Sequence, residues 1–373
     1  MGKEKAVNKK KEETAVAPKK QLNMEILRIL AMCMIITLHY LDKGGVLKEF
    51  ASNNTPVGNA AWVIEAFCMV SVNIYVLISG YFLCESTFKI RKTVLLWIQI
   101  LMYSWIITLI FAIILKGQFN FEEGMLYGLI PLLMPVTGSH YWFATVYILM
   151  YLVSPFLNIG IKAMDKKTHR NLIIILVAIF SIWNTVLPFT IPATDRKGMD
   201  ICWFICLYVI AAYLRKYGDE IKINKWLGLA IYALCCIGAF LLGKGMLLAD
   251  SVTGKLGGYC KNFYEYNSIT ILIASVALFI FFVKAEIKAG DFATQMVLFV
   301  SEGTFGVYLL HEHKLLRYLW PTWFNVSEYA DRFAFIPHLL MTVACVFTAG
   351  VVIDFIRRII VGAIDTYILK NEK

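Results

Sequence analysis

Long apolar blocks alternate with short polar ones along this chain. The first block, Met24 to Leu41 (MEILRILAMCMIITLHYL), is close to the length a membrane-crossing helix needs, and only Glu25, Arg28 and His39 interrupt it. Nine further blocks of similar character follow: Trp62 to Leu83, Val94 to Leu115, Tyr141 to Ile159, Asn171 to Phe189, Ile201 to Leu214, Trp226 to Leu247, Ser268 to Val283, Met296 to Leu310 and Phe335 to Ile356. The pattern predicts an all-α polytopic membrane protein, a bundle of about ten transmembrane helices. The apolar stretch 124–139 carries Gly128, Pro131, Pro135 and Gly138, which favours an interfacial or re-entrant piece over an eleventh span.

Composition agrees with this class. Hydrophobic residues make up 59% of the 373, charged residues only 17%, and the mean hydropathy is +0.66, too apolar for an ordinary soluble protein. Residues 1–20 differ: seven lysines, three acids and almost no large apolar side chains cannot bury a core, so 1–22 reads as a disordered basic cytoplasmic tail. The membrane domain then covers 23–361, and 362–373 form a short cytoplasmic C-terminal tail. With the N-terminus inside, 24 of the 36 Lys and Arg fall in inner segments and 11 in outer ones, Arg28 lying within the first span. Both termini are therefore expected in the cytoplasm. The net charge of +10 is then a signature of membrane topology and gives no reason to expect a nucleic-acid partner. The nine cysteines form no secreted disulfide pattern, and Cys202 and Cys206, spaced i, i+4, have no His or acidic pair nearby to complete a metal site.

Candidate chemistry concentrates in three places. Arg28 and His39 are eleven positions apart, which brings them within about 20° of one helix face and about 16 Å apart along the axis. Ionisable groups inside a span mark a functional site by default, the alternative being an Arg that snorkels at one end and a His at the other interface. On the second span, Glu65 is expected at the depth of His39, where it would orient or charge-stabilise the imidazole or else face water; Asn73 lies mid-span and Ser79 near the inner end. Lys89, Arg91 and Lys92 follow just inside the membrane, suited to a phosphate-rich cofactor or to anionic lipid head groups. On the ninth span, Thr304, Tyr308 and His311 share a face, with Glu302 toward the cytoplasm and Glu312 and His313 at the outer edge. Ser139, His140, Tyr141 and Trp142 form a further outer cluster, whereas His169 and His338 read as solvated or interfacial.

These residues resemble the acyltransferase-3 family of integral membrane O-acyltransferases, bacterial members of which modify cell-surface glycans. The resemblance spans the chain after the tail. It rests on the Arg28/His39 pair with ten residues between, VNIYVLISGYFL (Val72 to Leu83), KIRK (Lys89 to Lys92), SHYWFATVYILMYLVSPF (Ser139 to Phe156) and TFGVYLLH ending at His311. The family's basic stretch is richer in Arg, and an appended extracytoplasmic esterase-like domain, which some members carry, is not expected within these 373 residues. The resemblance implies a cytoplasmic acyl-CoA donor, most often acetyl-CoA, used as co-substrate with no tightly bound cofactor. Arg91, Lys89 and Lys92 would hold its phosphates, with Ser79 nearby, and Arg28 would bind its arm or fix the pore. His39 would act as general base on an acceptor hydroxyl or as a covalent relay, and Tyr308, Asn73 or a protonated His311 would serve the oxyanion.

The implied acceptor is a polysaccharide or lipid-linked glycan at a bacterial plasma membrane, and the bilayer itself is a partner. Within the same class, another acyl group such as succinyl, or a peptidoglycan or antibiotic acceptor, fits the same residues. A glycan or small-anion transporter is the alternative of a different class. It predicts Gly- or Pro-interrupted spans paired between two halves, and the sequence has no such pairing.

Overall fold

The computed structural model describes residues 21–51, 54–119, 124–138, 140–187, 190 and 197–371, with side chains described as far as 362. The expected tail over 1–20, Ser139, the end of the fifth span at 188–189 and loop residues 53 and 192–196 lie outside the described residues. Every regular element among those described is helical. Ten helical segments are long and apolar enough to cross a membrane, one for each apolar block of the sequence.

The first span is α1 (Leu22–Lys43), and the second is two helices, α2 (Pro56–Cys68) and α3 (Ser71–Leu83), that meet at Met69 and Val70. It begins six residues before the apolar block, because Thr55 caps it, accepting from Gly58 N at 3.0 Å, and Pro56 occupies the first helical turn. Then come α4 (Ile90–Ile114), α5 (Met125–Leu133) and α6 (Trp142–Ala163). The nine residues of α5 are too few to cross. Ser104 Oγ and Trp105 Nε1 of α4 donate to the carbonyls of Leu132 and Leu133 at its end, at 2.5 and 2.8 Å. The fifth span joins α7 (Lys166–Val177), a π-turn over Ala178–Ile182 and α8 (Trp183–Val186). The remaining spans are α9 (Ile201–Tyr217), α10 (Lys225–Thr253), α11 (Ile269–Val283), α12 (Asp291–His311) and, after short α13 (Trp320–Trp323), α14 (Phe335–Asn371). The last helix continues through residues that read from sequence as a tail.

Burial orders the bundle. The second span is 78% buried, the first and eighth 61% each and the sixth 56%, against 17% for the fifth, so these four form the centre. Helix α12 packs on α1 and α14, and α3 on α1 and α9. Bilayer lipid gives no hydrophobic drive between helices, so close approach through small residues matters more than in water. At Gly350 of α14 an added Cβ would come within 2.8 Å of Val307 Cα, and at Gly306 of α12 within 2.6 Å of Asp354 Cβ. These two glycines let α12 and α14 touch backbone to backbone. The contact is reinforced by Asp354, fully buried, which accepts from Arg357 Nε at 2.7 Å, Tyr103 Oη at 3.0 Å and Gln99 Nε2 at 3.2 Å.

Two histidines read as solvated or interfacial are buried instead. His169 is fully enclosed, with Nε2 2.9 Å from the Val209 carbonyl. His338 Nδ1 lies 2.7 Å from Tyr40 Oη while its ring stacks on Tyr329 at 3.9 Å. Each found a partner on another element, which removes the reason to stay wet.

Candidate active site

Two histidines 272 positions apart meet in the bundle. His39 lies one turn before the end of α1 and His311 is the last residue of α12, and His39 Nδ1 is 3.0 Å from His311 Nε2. The third partner decides the tautomers. His311 Nδ1 lies 2.6 Å from the Val307 carbonyl oxygen, which can only accept, so Nδ1 carries a proton. A neutral His311 then offers a lone pair at Nε2, His39 donates Nδ1–H to it, and the lone pair of His39 is left on Nε2. That is the form a general base requires.

Glu312 Oε1 is 3.3 Å from His39 Nδ1 and is also paired with Lys43, one helical turn beyond His39 on α1. The His39 side chain is 20% exposed and that of Glu312 only 7%, so the ring is the accessible member. The carboxylate expected beside His39 was Glu65. In the structure Glu312 takes that place, and Glu65 is buried with its Oε2 lacking a hydrogen-bond partner among the described residues. Glu65 makes no ion pair with His39 among the described residues.

Tyr308 stands one turn below His311 on α12, with ring centroids 6.3 Å apart. Its hydroxyl is buried and has no hydrogen-bond partner among the described residues, so its proton is available to a ligand oxygen. Asn73 has no such freedom. Its Nδ2 donates to Tyr266 O at 2.8 Å and Ser275 Oγ at 3.2 Å, and its Oδ1 accepts from Trp203 Nε1 at 3.0 Å. This amide ties α3 to α9 and α11.

Below Tyr308 a cavity of about 250 Å³ runs toward the end of the bundle where α1 begins. Arg28, Ser79 and Thr304 line it together with Tyr75, Gln99, Phe143, Tyr147, Glu302 and Phe305. A second cavity of about 240 Å³, lined by Lys92, Thr93 and Tyr151, shares Leu96 and Tyr147 with the first. Together they make one groove from Lys92 to Arg28. At its upper end Tyr308 packs on Phe143 (5.8 Å) and Phe305 (6.1 Å), separating groove from histidines by one aromatic layer. Arg28 Nη1 donates to Glu25 Oε2 at 2.6 Å, and Tyr75 Oη donates to the Arg28 carbonyl at 3.0 Å, which fixes the backbone below the guanidinium. Ser79 Oγ donates to Tyr75 O at 2.8 Å and lies 3.3 Å from Tyr147 Oη. Of the basic stretch, Lys92 lines the groove, while Lys89 and Arg91 are exposed beside it.

The profile of a family described as an acyltransferase domain matches residues 21–357. The chain belongs to the acyltransferase-3 family. No curated protein and no solved structure matches it. With ten apolar helical segments among the described residues it is a multi-pass membrane protein, and the family makes it a membrane acyltransferase.

Around the histidine pair of this acyltransferase the structure adds groups that sequence reasoning passed over. Lys43 had a signal, being four residues after His39 on one helix face. Arg317 had none, since it follows α12 in an irregular loop; its charge adds to the burial of His140 and His313. His140 and His313 stack 4.6 Å apart beside the site. His313 Nδ1 accepts from Leu315 N at 3.2 Å, and His140 Nε2 accepts from Lys314 N at 3.2 Å. Burial, with the charge of Arg317 adding to it, pushes His313 down to about 4 and His140 to about 2, so both are neutral near pH 7.

Proposed function

We propose that this acyltransferase moves an acyl group, acetyl in the first instance, from a cytoplasmic acyl-CoA to a hydroxyl of a cell-surface polysaccharide or lipid-linked glycan. The observation that carries this reading is the His311–His39 hydrogen bond, anchored at Val307 O, which leaves a basic nitrogen on an accessible ring one aromatic layer above the groove. A thioester donor suits that groove. Lys92, with Arg91 and Lys89 beside it, offers cationic partners for phosphates at one end, and Arg28, Ser79, Thr304 and Tyr147 offer polar contacts to an amide-bearing arm. The bias of Lys and Arg along the sequence supports a cytoplasmic Lys92 end, where acyl-CoA is made, with His39 toward the outside, where a glycan arrives.

In the proposed reaction the acceptor hydroxyl gives its proton to His39 Nε2 as its oxygen attacks the thioester carbonyl. The carbonyl electrons move onto oxygen, stabilised by the Tyr308 hydroxyl. Collapse re-forms the carbonyl and breaks the C–S bond. The leaving sulfur takes the proton back from the imidazolium, giving ester and free CoA. Glu312 and His311 stabilise the positive charge on His39 between these steps.

The test is purified protein in detergent with radiolabelled acetyl-CoA, wild type beside His39→Ala, following thioester cleavage and acetyl transfer. His39-dependent cleavage, with the variant still folded and membrane-inserted, supports the reading. Equal cleavage by His39→Ala removes His39 from the chemistry.

A further inference from the structure

A single phenol is a sparse oxyanion site, and the first turn of α6 holds donors that the bundle leaves unused. Thr145 N, which donates to the Tyr141 carbonyl at 3.0 Å, makes the first bond of that helix, so the amides of Trp142, Phe143 and Ala144 lie ahead of its ladder. A side-chain cap commonly satisfies such groups. Tyr141, at the capping position, provides none, and the three N–H groups have no acceptor among the described residues. They also carry the partial positive charge of a 22-residue helix. The Tyr308 ring packs on those of Tyr141 and Phe143, 5.8 Å from each. Its hydroxyl, buried and without a full hydrogen bond among the described residues, faces the amides of Phe143 and Ala144. Tyr141 Oη donates to the Leu309 carbonyl at 2.8 Å, which ties the start of α6 to the residue after Tyr308. Ala144 is fully enclosed and Phe143 nearly so, and buried donors gathered without an acceptor are unfavourable unless one arrives during function. The position is the one the chemistry needs. Phe143 lines the groove, while Tyr308 is 6.3 Å from the His311 ring, itself 5.1 Å from that of His39. The first turn of α6 therefore stands between the donor groove and the base.

We infer that the amide N–H groups of Phe143 and Ala144, together with the Tyr308 hydroxyl, form the site that receives the oxyanion of the tetrahedral intermediate. The inference rests on the acyl-transfer reading above. The acceptor oxygen forms its C–O bond while its proton passes to His39, and the carbonyl electron pair moves onto the oxygen held by these three donors. When the C–S bond breaks, that pair returns to the carbonyl and the thiolate is protonated from His39. Backbone donors at a helix start are fixed before the reaction begins, so they need no reorganisation as the charge develops. Because that full charge exists only in the intermediate, the contacts lower the barrier without tightening substrate binding.

The experiment measures thiol release from acetyl-CoA by the full-length protein in detergent, with water as acceptor. Replacing Ala144 by lactic acid turns one amide into an ester: the N–H is lost, the methyl side chain stays, and no bond of the helical ladder breaks. This variant should lower kcat about 100- to 1,000-fold, the usual effect of losing one oxyanion donor, with the KM for acetyl-CoA within about threefold of wild type and an unchanged melting temperature. Ala144→Pro deletes the same N–H where the helix has no bond to lose and should show the same split; if its ring prevents folding, the ester variant decides. Tyr308→Phe should lower kcat in the same way. An ester variant with wild-type kcat beside an impaired Tyr308→Phe leaves the phenol as sole donor and overturns the inference. A KM raised more than about tenfold with kcat kept also overturns it, making the turn a ground-state anchor. A wild type that releases no thiol from acetyl-, propionyl- or succinyl-CoA removes the acyl-transfer reading and this inference with it. A wild type that is active beside an indifferent ester variant removes this inference alone.

Discussion

Replacing His311 by Phe tests the tautomer argument directly. The substitution keeps a ring against Trp320 and Tyr308 but deletes the acceptor of the His39 Nδ1–H, 3.0 Å away. Val307 O loses only a side-chain donor, because it remains within the hydrogen-bonded ladder of α12. In the resting enzyme the lost bond joins two neutral rings. In the transition state His39 is an imidazolium, and a hydrogen bond from a charged donor contributes about 1.5–3 kcal/mol. At about 1.36 kcal/mol per decade this predicts a kcat about 10- to 150-fold lower, with KM little changed. Glu312, 3.3 Å from the same nitrogen, sets the ceiling: it accepts in place of His311, so the single variant stays well above the roughly 10,000-fold loss seen when a base is left in the wrong tautomer. Removing both acceptors in His311→Phe/Glu312→Gln should approach that loss, and a double-mutant cycle should show that the two are not additive. His311→Gln, which restores an acceptor oxygen, should recover much of the rate. Steady-state thioester cleavage measured beside thermal unfolding decides the matter. A His311→Phe variant with wild-type kcat, or a His311→Gln variant no better than Phe, refutes the tautomer reasoning.

Three further expectations follow from the geometry. Lys92→Ala should raise the KM for acyl-CoA about fivefold, the equivalent of about 1 kcal/mol for an exposed ion contact, and more than Arg91→Ala does, because Lys92 lines the groove; equal, negligible effects assign the basic stretch to lipid. His313 is held near 4 in the fold and near 6.5 unfolded, so the unfolded chain binds the extra proton below about pH 6.5. Stability should then fall as pH drops from about 6.5 to about 4, by up to about 1.4 kcal/mol per pH unit, and His313→Gln should flatten that decline in melting experiments. Asp354→Ala removes the carboxylate that pairs with Arg357, while Arg358 keeps its ion pair with Glu302, and should destabilise the protein by about 3 kcal/mol, read as a lowered unfolding temperature in detergent.

The bundle was legible because the bilayer forces each crossing to satisfy its own backbone over about twenty apolar residues, and such runs survive any detail of packing. Ten blocks became ten helical segments. The junction of α2 and α3 at Met69 and Val70 was not legible, since no Pro or Gly lies between 59 and 79 to announce it. The π-turn at Ala178–Ile182 left no mark either. His169 and His338 were misread for the same reason: their partners, Val209 on α9 and Tyr40 on α1, come from elements that sequence order does not place beside them.

The candidate site divides along the same line. Position along a helix is a matter of counting, so Arg28 low and His39 high on α1, and His311 at the depth of His39, could be read from a single chain. Which faces meet is a matter of rotation, and that is where the choice between Glu65 and Glu312 was lost. Glu65 is buried on α2 without an ion pair to His39 among the described residues, while the residue just past α12 delivers Glu312 to within 3.3 Å of His39 Nδ1. The reactivity of His39 needs both kinds of information. One half is local, since the Nδ1 of His311 reaches the carbonyl four residues earlier, as an i, i−4 contact on its own helix. The other half is the meeting of α12 with α1, secured through Gly306 and Gly350 against α14, without which the lone pair of His311 would have no proton to accept. A substitution that pushes α12 away from its neighbours should therefore impair the base as surely as one that removes it.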